Sequence, residues 1–428
     1  MRRGWLWTRS DKGEGRGARD ARLTVFGRGL RMAPMAASDG VLPGRAAAFF
    51  DRAALAMVVR ELRRARTSID LEIFMLGGPL GRRVLRLLDR KARAGVRVRL
   101  LHREGLSIRL GVRIKQWLPA LRRGTLEHPG HHYVPDVDRL FRGELRGTPI
   151  QRAGFPLGAF RRNGFAPLKL AHDKIVVVDG ATAIVGGMNV ATAVAGNHDL
   201  LLRVTGPAVA APRAVFDHDW HLAHGRREPF PDWRAEGAAA DTGTDWPHRL
   251  RFAVTRPDRS DQRQLLLDLF DSARERLWVQ MFYVTDPTLV EALGRAARRG
   301  VDVRVLCDPN EFSLGVRLYG APNLPFVKRL VVEGVPVHLF DAAPGSQMHQ
   351  KSVVVDSRYV FAGATNLTRQ SFRVNTESAF LVDGPDLADV FERRFLDDWT
   401  SRSAAPDADI FRRRRAYLWW VKLASRYV

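Results

Sequence analysis

The sequence contains one unit twice, and this duplication limits the possible folds more than any other feature. Each copy begins with an apolar-periodic segment that predicts a helix, AALAMVVRELRRARTS in the first and QRQLLLDLFDSARER in the second. Strand, helix and strand patterns follow in both: IDLEIFML, LGRRVLRLLDRKARAG and VRVRLL, then LWVQMFYV, TLVEALGRAARRG and VDVRVLCD. This order predicts parallel strands joined by right-handed crossovers, hence two similar α/β units.

The length and composition fit two such units with cores of their own. The chain has 428 residues, 45% of them hydrophobic and 27% charged, as in globular proteins. A long stretch of the first copy, residues 103–170, has no counterpart of equal length and is a candidate lid or substrate-contacting insertion. We divide the chain into an N-terminal arm (1–40), a first repeat (41–224), a Gly- and Pro-rich linker (225–248), a second repeat (249–402) and a basic aromatic tail (403–428).

The two copies match best at one motif. The first reads AHDKIVVVDGATAIVGGMN over residues 171–189, and the second reads MHQKSVVVDSRYVFAGATN over residues 348–366. Both contain His-x-Lys-x-x-x-x-Asp, followed at the same distances by a glycine and an asparagine. One such motif is weak evidence, but two within a wider duplication are specific. The candidate residues are His172, Lys174, Asp179, Asn189, His349, Lys351, Asp356 and Asn366.

These residue types suit transfer at a phosphodiester. Side chains two positions apart on a strand face the same side, so each histidine would share a space with its lysine. Packing about a pseudo-twofold axis would bring both pairs to one pocket. Lys174, Lys351, Asn189 and Asn366 would bind the phosphate oxygens. One neutral histidine would attack phosphorus and the other, protonated, would donate to the leaving oxygen, with no metal or other cofactor needed.

Four carboxylates accompany the motif. Asp199 and Glu377 recur at matching distances after it, and we expect them to hold an imidazole in its protonated form. Asp179 and Asp356 belong to the motif and are therefore candidate catalytic residues. Both nevertheless fall at a predicted turn, where an aspartate typically bonds backbone amides, so we assign them mainly to architecture.

Two further clusters resemble metal ligands. They are His128, His131 and His132 in a Pro/Gly loop, and Asp217, His218, Asp219 and His221 in DHDWH. The second cluster matches FLDDW of the other copy, which favours a structural helix with Trp220 and Trp399 as equivalent core residues. We therefore predict no metal site.

The charge predicts an anionic partner. Lys and Arg number 69 against 46 Asp and Glu, a net charge of +23, which favours lipid headgroups, phosphorylated substrates or, less strongly, nucleic acid. The tail FRRRRAYLWWVKLASRYV joins basic residues to Trp and Tyr, which is typical of an interfacial anchor; a packing helix is the alternative. The single cysteine, Cys307, fits a reducing compartment, and no apolar run reaches the roughly 18 residues of a spanning helix. We expect a cytoplasmic protein, peripheral at the inner membrane face.

The doubled motif resembles that of the phospholipase D superfamily, and the chain is most similar to bacterial cardiolipin synthases. Gly186–Asn189, Asp199 with LLLRVTGPAV after it, and Asn375-Thr-Glu377 carry this resemblance. It implies two α/β sandwich domains related by pseudo-twofold symmetry, one shared central active site and a covalent phosphohistidine. By position, His172 would be the nucleophile and His349 the general acid, oriented by Asp199 and Glu377. The family's chemistry would join two phosphatidylglycerols and release glycerol.

The chain departs from the family pattern in the second copy. Ala364 replaces a usual serine, Thr368 a frequent aspartate and Gln370 a usual arginine. The alternative function is hydrolysis, by a phospholipase D, phosphodiesterase or nuclease that uses the same two histidines. The sequence leaves the oligomeric state open.

Overall fold

The computed structural model describes residues 40–103, 133–155, 171–234, 245–256, 259–310, 322–343 and 346–413, together with 35, 237, 312–313, 316–317 and 419. Every structural statement below concerns these residues, which belong to the unit formed by residues 34–428. The histidines of the Pro/Gly loop (His128, His131 and His132) and most of the N-terminal arm lie outside them.

The first half follows the predicted order of elements. Its strands are β1 (Val41–Phe50), β2 (Ser68–Ile73), β3 (Leu76–Gly77), β4 (Arg97–Arg103), β5 (Gln151–Phe155), β6 (Lys174–Val178), β7 (Thr182–Gly186), β8 (Val190–Ala191) and β9 (Leu200–Thr205). Its helices are α1 (Asp51–Arg64), α2 (Gly78–Arg93), α3 (Tyr133–Arg142) and α4 (Ala210–Ala223), with 3₁₀ turns at Thr192–Val194 and Pro207–Val209.

The second half repeats this order. Its strands are β10 (His248–Arg256), β11 (Arg259–Ser260), β12 (Arg276–Met281), β13 (Asp302–Cys307), β14 (Phe312–Ser313), β15 (Val316–Arg317), β16 (Val337–Phe340), β17 (Lys351–Val355), β18 (Tyr359–Gly363), β19 (Glu377–Asp383) and β20 (Ser403–Ala404). Its helices are α5 (Gln262–Ser272), α6 (Pro287–Arg298), α7 (Leu324–Val332), α8 (Arg369–Arg373), α9 (Pro385–Ser401) and α10 (Ala408–Arg413).

The two halves share one sheet whose order reads the same from both ends. Outward from the centre, the first half runs β1-β9-β7-β6-β2-β4-β5 and the second runs β10-β19-β18-β17-β12-β13-β16, with β20 beyond. β1 and β10 pair antiparallel at the centre. The predicted parallel crossovers are present, since β2 pairs parallel with β4 and β12 with β13. The two α/β sandwich halves are therefore related by a pseudo-twofold axis between β1 and β10, as the duplication predicted.

A common core joins the halves. Strands β6, β7 and β9 of the first half and β10, β17, β18 and β19 of the second contribute buried apolar side chains to one cluster, which α4 and α9 cover. Each half also has its own core on the opposite face. Every residue of β6 and β17 is buried, which explains their near-continuous valine runs. Burial of a Val or Leu side chain contributes about 1.5–3 kcal/mol, so separating the halves would cost far more than breaking a surface contact.

Local signals placed the helix ends. Gly95 and Gly300, which follow α2 and α6, have φ of 87° and 86°, the left-handed conformation that ends a helix. Asp286 caps α6 by accepting from the backbone N–H of Thr288 and Leu289. Both glycines are the last residues of the predicted helical segments LGRRVLRLLDRKARAG and TLVEALGRAARRG, and the structure ends these helices just before them.

Several predicted boundary segments contribute to the folded core. The 103–170 stretch contains α3 and the sheet strand β5, so only 104–132 and 156–170, outside the described residues, are left as candidate lid segments. Trp233 of the linker is buried in the common core. The tail begins with β20, which pairs with β16, and Phe411 packs into the second core. None of the helices in the described part of the chain has the length and apolarity that crossing a bilayer requires.

Candidate active site

The two motifs are joined by backbone hydrogen bonds between the halves. The N–H of His172 donates to the carbonyl of Thr376 (3.1 Å), just before β19. Symmetrically, the N–H of His349 donates to the carbonyl of His198 (2.8 Å), just before β9. Each motif histidine is thus bonded to the segment that leads into the opposite half's carboxylate. The pseudo-twofold arrangement brings both motifs to one place, as predicted.

The histidine–carboxylate pairs are exchanged between the halves. Nδ1 of His172 lies 2.8 Å from Oε2 of Glu377, and Nδ1 of His349 lies 2.7 Å from Oδ2 of Asp199. An Nδ1–H that donates to a carboxylate fixes the imidazole tautomer and presents Nε2 for chemistry. The sequence pointed to all four residues, but only the structure shows which carboxylate holds which ring.

Each lysine lies beside its histidine, on the face of one aromatic ring. Nζ of Lys174 donates to the carbonyl oxygen of His172 (2.5 Å), and Nζ of Lys351 donates likewise to that of His349. The ring centroid of Phe74 lies 5.1 Å from that of His172 and 5.2 Å from Nζ of Lys174. Phe282 has the same relation to His349 and Lys351, at 4.9 and 5.1 Å. These two phenylalanines were missed, although both follow the matching β2 and β12 strands in the duplication.

Burial and mutual repulsion lower the pKa values of the cationic groups in the site. Burial lowers the pKa of Lys174 to about 8, against the opposing effect of Glu377 and Asp199. Burial lowers the pKa of Lys351 to about 7, with Lys174 adding to the decrease. Burial and then the charge of Lys351 lower the pKa of His349 to about 4, so this imidazole is neutral near pH 7. A general acid at His349 therefore requires a bound anion, whose charge raises the pKa of a nearby imidazole.

The carboxylate of Glu377 is held by polar groups that the sequence did not single out for this role. Burial raises the pKa of Glu377 to about 7, and Lys174 opposes this. Oε1 accepts from Oγ of Ser371 (2.8 Å) and Nδ2 of Asn375 (3.1 Å), which leaves Oε2 for His172. In the other half, Oδ1 of Asp199 accepts from the N–H of Leu200 (2.8 Å). Both carboxylates are thus oriented before any substrate binds.

The motif asparagines are buried next to the histidine segments. Oδ1 of Asn189 accepts from the N–H of Met75 (3.1 Å). This bond does not involve the Nδ2 group of Asn189. Asn366 is buried as well, and its Oδ1 has no hydrogen-bond partner among the described residues. A phosphate-binding role for these amides stays a prediction.

The motif aspartates lie away from the two histidines, at the turn ends of β6 and β17. Asp179 follows the far end of β6, five residues or roughly 16 Å of strand from Lys174. Its carboxylate accepts from the backbone N–H of Arg66, Thr67 and Ser68. Asp356 accepts in the same way from residues 274–276 at the start of β12. Both aspartates have positive φ, as expected in the tight turns of the β6–β7 and β17–β18 hairpins. They fix the sheet, as the turn signals indicated.

Behind His172 lies a buried acidic cluster, which we define as Glu72, Asp173 and Asp219 with the counterion Arg256. Carboxylate oxygens of the three acids lie within 4.8 Å of one another, the spacing of a possible metal site. Arg256 bonds Asp219 (Nη2 to Oδ2, 2.7 Å) and pairs with Asp173 (Nη1 to Oδ2, 3.1 Å). The sequence interpretation included Asp219 but missed the other members, which lie far apart in the chain.

The rest of DHDWH is structural, as predicted. Asp217 pairs with Arg99 (2.6 Å), and His221 pairs with Glu228 (2.9 Å). Trp220 of α4 stacks on Phe216, and Trp399 of α9 stacks on Phe395 and His338. The two tryptophans hold equivalent positions in the repeat.

Arginines line a cavity near the site. Helix α2 starts directly after the segment whose Met75 bonds Asn189. A cavity of about 460 Å³ is lined there by Gly78, Pro79, Arg82, Arg83, Arg86 and Arg90. Arg86 also pairs with Glu144. The guanidinium charge of these lining arginines suits an anionic ligand or surface.

Comparison with known proteins agrees with this geometry. A family described as cardiolipin synthase, phospholipase D-like domain, matches residues 58–220 and 266–399. The cardiolipin synthase A of Pseudomonas fluorescens is 30% identical over 360 residues, covering 81% of this chain and 66% of that protein. The cardiolipin synthase A of Yersinia pseudotuberculosis is 27% identical, covering 84% of this chain and 70% of that one. The chain thus spans about two thirds of the length of these relatives.

A solved structure has the same fold at low identity. The phosphatidylserine synthase of Haemophilus influenzae superposes with a TM-score of 0.63 at 13% identity, covering 91% of this chain and 98% of that one. The family match extends over both repeats and includes both motifs. The doubled motif, the exchanged histidine–carboxylate pairs and this match together place the chain in the family of cardiolipin synthases with phospholipase D-like domains.

Proposed function

We propose that this chain is a phosphatidyltransferase of the cardiolipin synthase type, which transfers a phosphatidyl group through a phosphohistidine. The observation that carries the proposal is the exchanged pair, His172 with Glu377 and His349 with Asp199, beside two buried lysines. Two imidazoles with fixed Nδ1 atoms supply a nucleophile and an acid–base group. Two ammonium groups supply the positive charge that a pentacoordinate phosphorus with developing negative charge requires.

The first step would form the covalent intermediate. Nε2 of His172 attacks the phosphorus of phosphatidylglycerol, an N–P bond forms, and the P–O bond to the headgroup glycerol breaks. His349, protonated once the phosphodiester charge has raised its pKa, gives its proton to the leaving glycerol oxygen. Asp199 stabilises the imidazolium of His349 before this transfer. The charge on Glu377 supports the cation that forms as His172 becomes phosphorylated.

The second step would reverse these roles. A headgroup hydroxyl of a second phosphatidylglycerol attacks the phosphohistidine, and neutral His349 takes the hydroxyl proton as the new P–O bond forms. The N–P bond breaks, which releases cardiolipin and restores His172. Water in place of the alcohol would give phosphatidic acid, so the exclusion of water decides between transfer and hydrolysis.

The charge supports contact with an anionic membrane, at the inner face where such lipids are exposed to the cytoplasm. The chain carries a net charge of +23, and the α2 arginines face a cavity near the site. Each basic residue close to an anionic bilayer contributes about 1 kcal/mol to binding. The aromatic residues of the C-terminal tail would add interfacial anchors.

The test is a product analysis with vesicles of phosphatidylglycerol. We expect cardiolipin and glycerol in equal amounts from the purified protein. The matched control is His221→Ala, a half-exposed histidine that pairs with Glu228 away from both motifs and should keep full activity. Phosphatidic acid without cardiolipin would assign the chain to the hydrolases, and cleavage of DNA without action on lipid would assign it to the nucleases.

A second assay identifies the nucleophile. A phosphatidyl donor with a p-nitrophenol leaving group needs no general acid, so His349→Ala should release one equivalent of nitrophenol and then stop. His172→Ala should release none. The opposite pattern would make His349 the nucleophile, which its neutral state in the free protein would also allow.

A further inference from the structure

Glu72 is a buried acid without a hydrogen-bond donor. It lies near the end of β2, only 3% exposed, and neither carboxylate oxygen has a hydrogen-bond partner among the described residues. Its oxygens belong to the acidic cluster with Asp173 and Asp219, of which Arg256 is the bonded cation. Lys174, the other nearby cation, donates to the carbonyl of His172. A buried carboxylate that no donor among the described residues bonds is costly, so this position favours a proton or a bound cation.

The equivalent position in the second half of the chain favours a proton on Glu72 over a bound cation. Ile73 is paired with Lys174 as Met281 is with Lys351, so Gln280 is the equivalent of Glu72. Asp398 of FLDDW is the equivalent of Asp219. Nε2 of Gln280 donates to Oδ2 of Asp398 (2.9 Å). A neutral carboxylic acid has nearly the shape of an amide, and its O–H would stand where Gln280 has its N–H.

We propose that Glu72 is kept as a neutral carboxylic acid that donates its O–H to Asp219 and is a positioning residue for the first catalytic pair. Only the expected effect of Glu72 on kcat rests on the proposed phosphatidyl transfer. The structural part, a proton stored on Glu72, stands on the geometry of the cluster and on the comparison with Gln280.

Hydrogen bonds lead from Asp219, whose carboxylate oxygen lies within 4.8 Å of that of Glu72, to His172. Asp219 binds the guanidinium of Arg256, and Nη1 of Arg256 donates to the backbone carbonyl of Glu377 (3.2 Å). The side chain of Glu377 then holds Nδ1 of His172. A charged Glu72 would repel Asp219 and compete for Arg256. The neutral acid leaves the guanidinium to Asp219, Asp173 and the Glu377 backbone.

The surrounding charges agree with a neutral Glu72. The charged groups that face it are Asp173 before β6, Lys174 on β6, Asp219 on α4 and Arg256 on β10. Burial raises the pKa of Glu72 well above its usual value, and Asp219 and Asp173 raise it further. Arg256 and Lys174 oppose this but do not reverse it.

The first test is the pH dependence of stability in Glu72→Gln. A carboxyl with a raised pKa stabilises the folded state fully below its unfolded pKa of roughly 4.3, and this contribution is lost as pH rises through the folded pKa. The melting temperature of Glu72→Gln relative to wild type should therefore increase between pH 5 and pH 8. Glu291→Gln, an exposed glutamate on α6, is the matched control and should show a constant difference. A constant difference for Glu72→Gln as well would overturn the proposal.

The reciprocal variant adds a stringent check that needs no activity. Gln280→Glu puts a carboxyl beside Asp398. The melting temperature of this variant should therefore fall relative to that of wild type as pH rises. The infrared difference spectrum of wild type minus Glu72→Gln at neutral pH should show the carbonyl stretch of one protonated carboxylic acid, because the contribution of Glu377 is present in both proteins and cancels. No such band would mean that Glu72 is ionised.

The kinetic test separates positioning from structure. Glu72→Leu, which cannot donate, should lower kcat about tenfold with little change in KM, since losing one buried hydrogen bond costs about 1.4 kcal/mol. Glu72→Gln should restore most of the loss. Equal kcat losses in both variants would reject the neutral-acid role even if phosphatidyl transfer is confirmed. One equivalent of tightly bound divalent metal in wild type, lost in Glu72→Gln, would make the cluster a metal site and also overturn the proposal.

Discussion

Oδ2 of Asp199 lies 2.7 Å from Nδ1 of His349, so a carboxylate of the first repeat holds the motif histidine of the second. Glu377 holds His172 in the reverse sense. Neither half has a complete pair by itself. The proposed chemistry therefore requires the two halves to fold together, which the shared sheet and the common core ensure.

The exchanged pairs predict strongly non-additive kinetics. Asp199→Asn keeps the shape but removes the charge that stabilises the His349 imidazolium, so kcat should fall roughly 10²-fold. In His349→Ala the added Asp199→Asn change should cost little more, because both act through one imidazole. Steady-state rates of the two single variants and the double variant on phosphatidylglycerol vesicles test this. Multiplying effects would show that Asp199 works through another group.

The buried lysines predict an alkaline limit to catalysis. The pKa values of about 7 for Lys351 and about 8 for Lys174 mean that the site loses positive charge as pH rises through this range. The kcat/KM of wild type, which reports the free protein, should decrease there. Lys351→Arg keeps its charge up to about pH 12 and should move the limit upward, at a lower maximal rate because the guanidinium is larger. An unchanged pH profile in this variant would assign the limit to another group.

Gly187 makes room for the Asp199 carboxylate. A Cβ at Gly187 would lie 2.5 Å from Oδ1 of Asp199, so Gly187→Ala must displace this side chain. We expect a fall in kcat similar to that of Asp199→Asn and a loss of about 1–3 kcal/mol in the free energy of unfolding. Gly196→Ala, where a Cβ meets nothing within 4 Å, is the matched control. Urea unfolding and kcat, measured on both variants, test these expectations. An active Gly187→Ala protein would show that Asp199 need not hold this position.

The motif aspartates predict losses of stability without losses of chemistry. Asp179→Asn weakens bonds to three backbone amides at the start of β2 and should lower the free energy of unfolding by about 1–3 kcal/mol. Burial acts to raise the pKa of Asp179, but the backbone donors outweigh it and hold the pKa below its usual value. Its stabilising effect is therefore present at neutral pH and lost as pH falls through that lowered value.

Asp356→Asn should likewise lower the free energy of unfolding, because it weakens the bonds to three backbone amides at the start of β12. Chemical denaturation followed by kcat of the folded fraction measures both effects for each variant. A large fall in kcat of the folded protein, without loss of stability, would restore these aspartates to the catalytic set.

Much of the fold could be predicted because it depends on local patterns and on repetition. Apolar periodicity predicted α1, α2, α5 and α6 with the strands after them, and Gly95 and Gly300 marked two helix ends. The duplication predicted the pseudo-symmetry and singled out His172, Lys174, His349 and Lys351. Trp233 and Phe411 were not recognised as core residues, because a single apolar residue in a polar segment carries no periodic signal.

Residue type and spacing along the chain are enough to establish the repeated unit, the histidine–lysine motifs and the chemistry of their groups. Only the folded chain shows which carboxylate holds which histidine, and which backbone amides Asp179 and Asp356 bond at the starts of β2 and β12. It also assembled Glu72, Asp173, Asp219 and Arg256 into one buried cluster. The physical reason is that pairing across the β1–β10 axis and side-chain burial depend on contacts between residues distant in sequence, which no local pattern encodes.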